Sequence, residues 1–456
     1  MATTVLSTVI SVSTVSAATA IKAPAIISTS LNFNGAPAEL RTIQVNQVKL
    51  YAVRDLAKAL GASLELANGA VSLQLENNVV IKDKITGYTV NGATMNFTTA
   101  PKNVGGTLFT ELNSIVDGLG GSVETDASGK MTFRSFKLLE GNFNSINWID
   151  GNKVIATQEG DAKAIYKLDP STLTSELYSD NEDALSMVVS PDGKYGVYTN
   201  ENAQLILMTL NPGVISTLSL DKSTKTDLTW SADNKSVYFT QGDNQEKISY
   251  IDLASKTIKT VLEDKVNFKS DLRLSADGTK ILYNQNITGT ATNDADSTED
   301  SLKVDFSKAG TQLYSLDLVT AGAKPVKLTD GMSNTIYGNI LNDGSAVYIN
   351  IDPADEKARG TLKIVSPAGV IKDLVTDLDV ISSVLTSEGK FIITGTDAAG
   401  KFHVAAVTTD GKKTDLVTSN DEINGTSLSP DGTAVFATIG GKIIVIKNGS
   451  IVPLTK

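Results

Sequence analysis

Ser190-Pro-Asp-Gly-Lys-Tyr-Gly-Val-Tyr198 decides how this chain is read, because the phrase keeps returning. It comes back as Ser231-Ala-Asp-Asn-Lys-Ser-Val-Tyr-Phe239 and as Ser275-Ala-Asp-Gly-Thr-Lys-Ile-Leu-Tyr283. Further copies are Leu341-Asn-Asp-Gly-Ser-Ala-Val-Tyr-Ile349, Thr386-Ser-Glu-Gly-Lys-Phe-Ile-Ile-Thr394 and Ser429-Pro-Asp-Gly-Thr-Ala-Val-Phe-Ala437, with a degenerate first copy at Ile149-Asp-Gly-Asn-Lys-Val-Ile155. The acidic anchors are Asp150, Asp192, Asp233, Asp277, Asp343, Glu388 and Asp431, so successive gaps are 42, 41, 44, 66, 45 and 43 residues. Asp-Gly makes a tight turn, since Gly accepts positive φ and Asp bonds its own nearby backbone. The strand after each turn is β-branched or aromatic, as packing between sheets requires.

Five of the six gaps match the 40 to 45 residues of a four-stranded propeller blade. The second copy reads as strands at Leu185–Val189, Tyr195–Thr199, Leu205–Leu210 and Ile215–Leu220. The last copy contains all four of its own strands, at 426–428, 434–439, 442–447 and 451–454. Seven anchors predict a seven-bladed β-propeller over residues 136–456, with six or eight blades as the alternatives. Phe136-Lys-Leu-Leu139 is available to help close the ring, which removes edges that would otherwise template aggregation. The Ser-Pro-Asp-Gly phrase resembles the repeats of TolB-like and WD-type propellers. That resemblance implies the fold and leaves function open, because the scaffold hosts many activities.

Residues 31–135 follow a different grammar. Val53-Arg-Asp-Leu-Ala-Lys-Ala-Leu-Gly-Ala62 places Leu56 and Leu60 on one helical face, with Gly61 to end it. Phe109-Thr-Glu-Leu-Asn-Ser-Ile-Val-Asp-Gly-Leu-Gly120 repeats the design with Leu112, Ile115, Val116 and Leu119. Each helix precedes a hairpin, turning at Asn68-Gly69 and at Ser128-Gly129. A duplicated strand-helix-hairpin unit in a small α+β domain accounts for this. The segments Val90-Asn91-Gly92, Val53-Arg54-Asp55-Leu56 and Leu60-Gly61 resemble the copper amine oxidase N-terminal-like (stalk) domain of secreted Gram-positive bacterial proteins. Phe109-Thr110-Glu111 stands where that family has Pro-Leu-Arg. The resemblance implies no copper: residues 31–135 contain no His for such a centre. Residues 1–20 are small, apolar or hydroxylated, with signal-peptidase-like small residues near Ala17 and Ala20. They read as a signal-peptide-like segment lacking the usual basic start, the alternative being a strand-forming tail. The expected location is therefore secreted, in association with the cell wall.

Composition narrows the function. The 456 residues include no Cys and one His, which removes thiolate nucleophiles and sulfur-based zinc sites and leaves Ser-His-Asp catalysis only to His403. A net charge of −11 argues against nucleic acid as a partner. The long gap leaves an insertion at 286–310, placed between the second and third strands of the fourth blade. Its Asp294, Asp296, Glu299 and Asp300 are the candidate Ca²⁺ ligands, without EF-hand spacing, and the alternative is a solvated loop. Asp192, Asp233, Asp277, Asp343, Glu388 and Asp431 read as structural anchors of the repeat. No phosphate loop, Gly-x-Ser-x-Gly elbow or His-Glu-x-x-His is present. The expected function is a non-catalytic binding or scaffold protein whose propeller face takes a protein or cell-wall glycan. The alternatives are a carboxylate- or Ca²⁺-dependent propeller hydrolase or lyase, and a structural surface-lattice subunit. No cofactor and no transmembrane segment in the mature chain are expected.

Overall fold

The computed structural model describes residues 23–456 apart from 126–128, 150–152, 161–162, 293–302, 306, 308, 332, 354, 356, 387, 430–433 and 448–449. The chain divides into two compact units between Lys137 and Leu138.

The N-terminal unit runs β1 (Ile27–Phe33), β2 (Ala36–Val45), β3 (Val48–Ala52), α1 (Val53–Leu60), β4 (Ser63–Ala67), β5 (Ala70–Gln74), β6 (Asn78–Lys82), β7 (Gly87–Val90), β8 (Ala93–Asn96), β9 (Lys102–Val104), β10 (Thr107–Thr110), α2 (Leu112–Gly118), β11 (Ser122–Thr125) and β12 (Met131–Arg134). One sheet has the order β11-β12-β1-β2-β3-β10-β9, and the other β4-β5-β6-β7-β8. The strand-helix-hairpin plan occurs twice, as β3-α1-β4-β5 and β10-α2-β11-β12. Both helices bury their expected stripes, Leu56 and Leu60 with Ile115, Val116 and Leu119, in a core shared with Phe33, Leu73, Ile81 and Phe133. Gly61 ends α1 at φ 76. Two expectations are corrected. Phe109 and Thr110 belong to β10, because they pair with Ala52 and Tyr51, so the second helix starts at Leu112. The unit also begins before residue 31, since Ile27 already pairs with Thr42.

Residues 138–456 form seven successive four-strand antiparallel units among the described residues. Their first strands are Asn142–Ile149, Val188–Val189, Lys225–Trp230, Lys269–Leu274, Ser333–Ile340, Asp379–Leu385 and Ile423–Leu428. Each contacts the next, and the seventh contacts the first, which makes a closed circuit around a hub. This is a mainly β propeller. Closure uses the start of the unit: Leu139 bridges Thr455 in parallel, Lys456 N–H donates to the Leu139 carbonyl at 2.8 Å, and Gly141 N–H donates to Lys456 at 3.2 Å. Phe143 and Ile146 share a core with Phe436 and Ile443 of blade seven, and the Trp148 ring lies 5.1 Å from Phe436. Trp230 does the same job two joints on, donating to Val188 O at 2.9 Å in the preceding blade.

Two departures from the sequence reading have local causes. Leu185 lies in a 3-10 turn, Glu182–Ser186, which Asn181 caps by accepting from Asp183 N–H, so blade two keeps only Val188–Val189 as its inner strand. Blades four and five are fused, because Gly310 and Thr311 pair in parallel with Ser333 and Asn334. The insertion sits between the second strand, Lys280–Ile287, and the third, Gly310–Asp317, of blade four and contains a short ladder of Thr290–Thr292 with Lys303–Asp305.

Candidate functional site

A four-strand meander alternates its connections between two ends. One face of the wheel therefore carries the Asp-Gly turns. The opposite face, called the loop face below, carries the links between blades and those from second to third strands, including the insertion.

On the turn face the anchors are engaged with their own turns. Asp192 accepts from Ser190 Oγ at 2.7 Å and from Lys194 N–H at 3.1 Å, and Ser190 Oγ in turn accepts from Tyr195 N–H. Asp233 accepts from Ser231 Oγ at 2.7 Å and Asp277 from Ser275 Oγ at 2.6 Å. Asp343 accepts from Ser345 N–H at 2.8 Å, and Glu388 pairs with Lys390 at 2.9 Å. Asn234 and Asn342 add links between blades, accepting from Asp192 N–H and Asp277 N–H at 3.1 and 3.2 Å. Asp150 and Asp431 lie outside the described residues.

Hydrogen bonds to the charged form lower a carboxylate pKa. The Ser275 hydroxyl, then Thr279 N–H, pull Asp277 down to about 2. Asp233 is lowered by Ser231 and Lys235 N–H. Burial pushes Asp192 up, but Ser190 and Lys194 N–H outweigh it and the net direction is down. A depressed folded pKa contributes stability above the unfolded value near 4, which is lost as pH falls toward the folded value. We expect the melting temperature of the propeller to decline between about pH 4 and pH 2. Asp277→Asn should flatten that decline; an unchanged profile would contradict the assignment.

The loop face is different. Residues 138–456 carry 29 basic and 42 acidic residues, whereas residues 23–137 carry 10 and 9. Asp180, Glu182, Glu201, Asp421 and Glu422 are exposed on loop-face links and have no ion-pair partner among the described residues. Two polar clefts flank blade one at this end. One, of about 470 Å³, is lined by Asn144, Ser145, Thr157, Gln158, Glu159, Lys163 and Leu185. The other, of about 430 Å³, shares Asn144 and Glu159 and reaches Gly440 and Gly441.

The inner strands bulge on the way into the hub at Asn144, Asp227, Asp271, Tyr337, Ile381 and Gly425. Bulges re-aim side chains and recur beside functional sites. Asp227 accepts from Asp271 N–H at 2.8 Å, and Asp271 pairs with Arg273 at 2.9 Å. Tyr337 and Phe268 are each 43% exposed on positive-φ backbone, at 51° and 65°. That conformation is an outlier for bulky residues.

His403 is mostly buried, with Nε2 3.1 Å from Asp397 and Nδ1 3.7 Å from Asp415. Lys401 N–H and then His403 hold Asp397 below the usual carboxylate range. The candidate Ca²⁺ ligands Asp294, Asp296, Glu299 and Asp300 lie outside the described residues. Among the described residues no group of three or more His, Cys, Asp or Glu is arranged to hold a metal ion, and no helix is long and apolar enough to cross a membrane.

No family model matches the chain, and no curated protein is similar to it. Solved structures are. An oligogalacturonate lyase from Vibrio parahaemolyticus is 11% identical at a TM-score of 0.47, covering 70% of this chain and 86% of its own. The tricorn protease is 12% identical at 0.45, covering 90% of this chain and 47% of its own. TolB from Acinetobacter baumannii is 15% identical at 0.38, covering 73% of this chain and 76% of its own.

Proposed function

We propose that this chain is a non-catalytic, secreted or cell-surface binding or scaffold protein whose loop face takes a positively charged partner, either a protein or a cell-wall glycan bearing amines. The observation that carries the reading is the contrast between the two faces. Carboxylates on the turn face are committed to their own turns, whereas Asp180, Glu182, Asp421 and Glu422 stand exposed without a cation. Exposed Lys163, Lys222, Lys265 and Lys401 stand on other loop-face links, so the acids act as local pairs at two blade joints, and a local field of one sign steers and retains the opposite charge. The exposed Phe268 and Tyr337 rings add the aromatic contact that interfaces favour. Export of the chain rests on the leader-like residues 1–20, and an anchoring role for the N-terminal unit on its resemblance to the stalk domain.

The test is binding of poly-L-lysine to the full chain at about 0.1 M salt. Four surface pairings at about 0.3–0.5 kcal/mol each amount to roughly a tenfold change in affinity. Neutralising Asp180, Glu182, Asp421 and Glu422 together as Asn or Gln should therefore weaken binding about tenfold. Neutralising Asp192 and Asp233 should leave it unchanged. Equal losses from both variants would remove the loop face from the account.

A second reading, a carboxylate- or Ca²⁺-dependent hydrolase or lyase, has one observation in its favour. Asp227 and Asp271 converge at the hub from adjacent blades, beside Arg273. Turnover of lactone, ester or polysaccharide substrates that is lost in Asp271→Asn would select this reading over the first.

A further inference from the structure

A cleft of about 390 Å³ opens within the N-terminal unit, between the β4–β5 hairpin and the β9–β10 hairpin. Its size is that of a ligand site. Nothing in the sequence reading pointed to it. Leu64 and Leu66 line one wall and Leu108 the other, and Leu66 is 68% exposed. The turns at its rim, Gly69 and Gly106, have open space where a Cβ would sit.

Two features of the cleft are uncommitted. The first is backbone: β4 is the edge strand of its sheet, and its outer edge makes no backbone hydrogen bond among the described residues. Such an edge is a template for an added strand. The second is charge. Arg41 is held by Asp55 through two bonds, at 2.9 and 2.8 Å, and Asp83 accepts from Asn103 N–H at 3.0 Å. Arg54 is exposed and has no hydrogen-bond or ion-pair partner among the described residues. We infer that this cleft binds an extended peptide, which pairs with the free edge of β4, packs alternate apolar side chains on Leu64 and Leu66, and sets a carboxylate against the Arg54 guanidinium. A peptide is favoured over an acidic saccharide because only a peptide offers the row of donors and acceptors that the β4 edge matches.

The test is selection of a randomised nonapeptide phage library on the full chain, with counter-selection on Arg54→Gln combined with Leu66→Asp. Both substitutions fall at exposed positions, and an unchanged melting temperature verifies the fold. Peptides with alternating apolar residues and an acid should enrich. Their affinity should fall about tenfold or more for Arg54→Gln, as loss of a charge-assisted bond requires. Hydrogen exchange at 63–67 should slow on binding. No enrichment over the counter-selected variant, or enriched peptides that bind Arg54→Gln equally well, would overturn the inference. So would an acidic glycan array that is retained by the full chain, and lost in Arg54→Gln, in the absence of any peptide.

Discussion

Lys269→Met is expected to destabilise the propeller by about 2–3 kcal/mol, the cost of removing the charged donor that several polar groups share. The Lys269 side chain is fully buried, and its Nζ lies 2.6 Å from Asp264 Oδ1. It also donates to the carbonyl of Glu246 at 3.0 Å and to that of Val266. Glu246 belongs to a link within blade three, and Asp264 and Val266 to the link from blade three to blade four, so one ammonium ties the joint together. Met fills the volume but leaves a carboxylate and two carbonyls without their donor. Lys225 repeats the device one joint earlier, 2.7 Å from Asp221 Oδ1 and donating to the Ala203, Asp221 and Ser223 carbonyls at 3.1, 2.8 and 2.7 Å. Urea titration of Lys269→Met measures the effect. A loss below about 1 kcal/mol would place it with exposed ion pairs and contradict the arrangement.

The second large effect falls in the N-terminal unit, and it separates two glycines that look alike in sequence. Gly61 and Gly121 each follow a helix. At Gly61 the need is conformational: φ is +76 and nothing lies within 4 Å of an added Cβ. Gly61→Ala should cost about 1–2 kcal/mol, the penalty of a left-handed residue. At Gly121 the need is space, because a Cβ would lie 2.2 Å from the Arg134 carbonyl and 2.9 Å from that of Val116. Both are backbone atoms, and Gly121 N–H already donates to Val116 O at 2.8 Å. Gly121→Ala must displace β12 or unwind the end of α2, at a cost of about 3 kcal/mol or more. Thermal melts of the two variants should rank Gly121→Ala well below Gly61→Ala, and the reverse order would contradict the packing.

The architecture was legible where one residue type carries one physical constraint. Asp-Gly turns repeated at nearly constant spacing mark blades, and the stripe Leu112, Ile115, Val116, Leu119 marks a buried helix face. What escaped the sequence depends on partners distant in the chain. Lys225 and Lys269 open inner strands, and nothing local distinguishes a lysine whose three donors will be satisfied across a blade joint from one in solvent. The bulges at Asp227, Asp271 and Tyr337 are a property of pairing, and residue type alone does not announce them. Leu185 read as strand because it is apolar, but Asn181 four residues earlier starts a 3-10 turn instead. The cleft beside β4 needs the relative placement of two hairpins, 63–74 and 102–110, that are distant in the chain. The unpaired acids of the loop face become visible only when the connections are sorted by face.

The propeller ring closes at residues 139 and 455, and the absence of native cysteine makes that closure directly measurable. Paired strands lie about 4.8 Å apart, within the Cα separation a disulfide bridges. Leu139→Cys combined with Thr455→Cys should therefore oxidise in the folded chain to one intramolecular disulfide, visible as faster migration on a non-reducing gel, and should raise the unfolding midpoint. Failure to cross-link without denaturant, or cross-linking only between molecules, would contradict the closed wheel and with it the loop face.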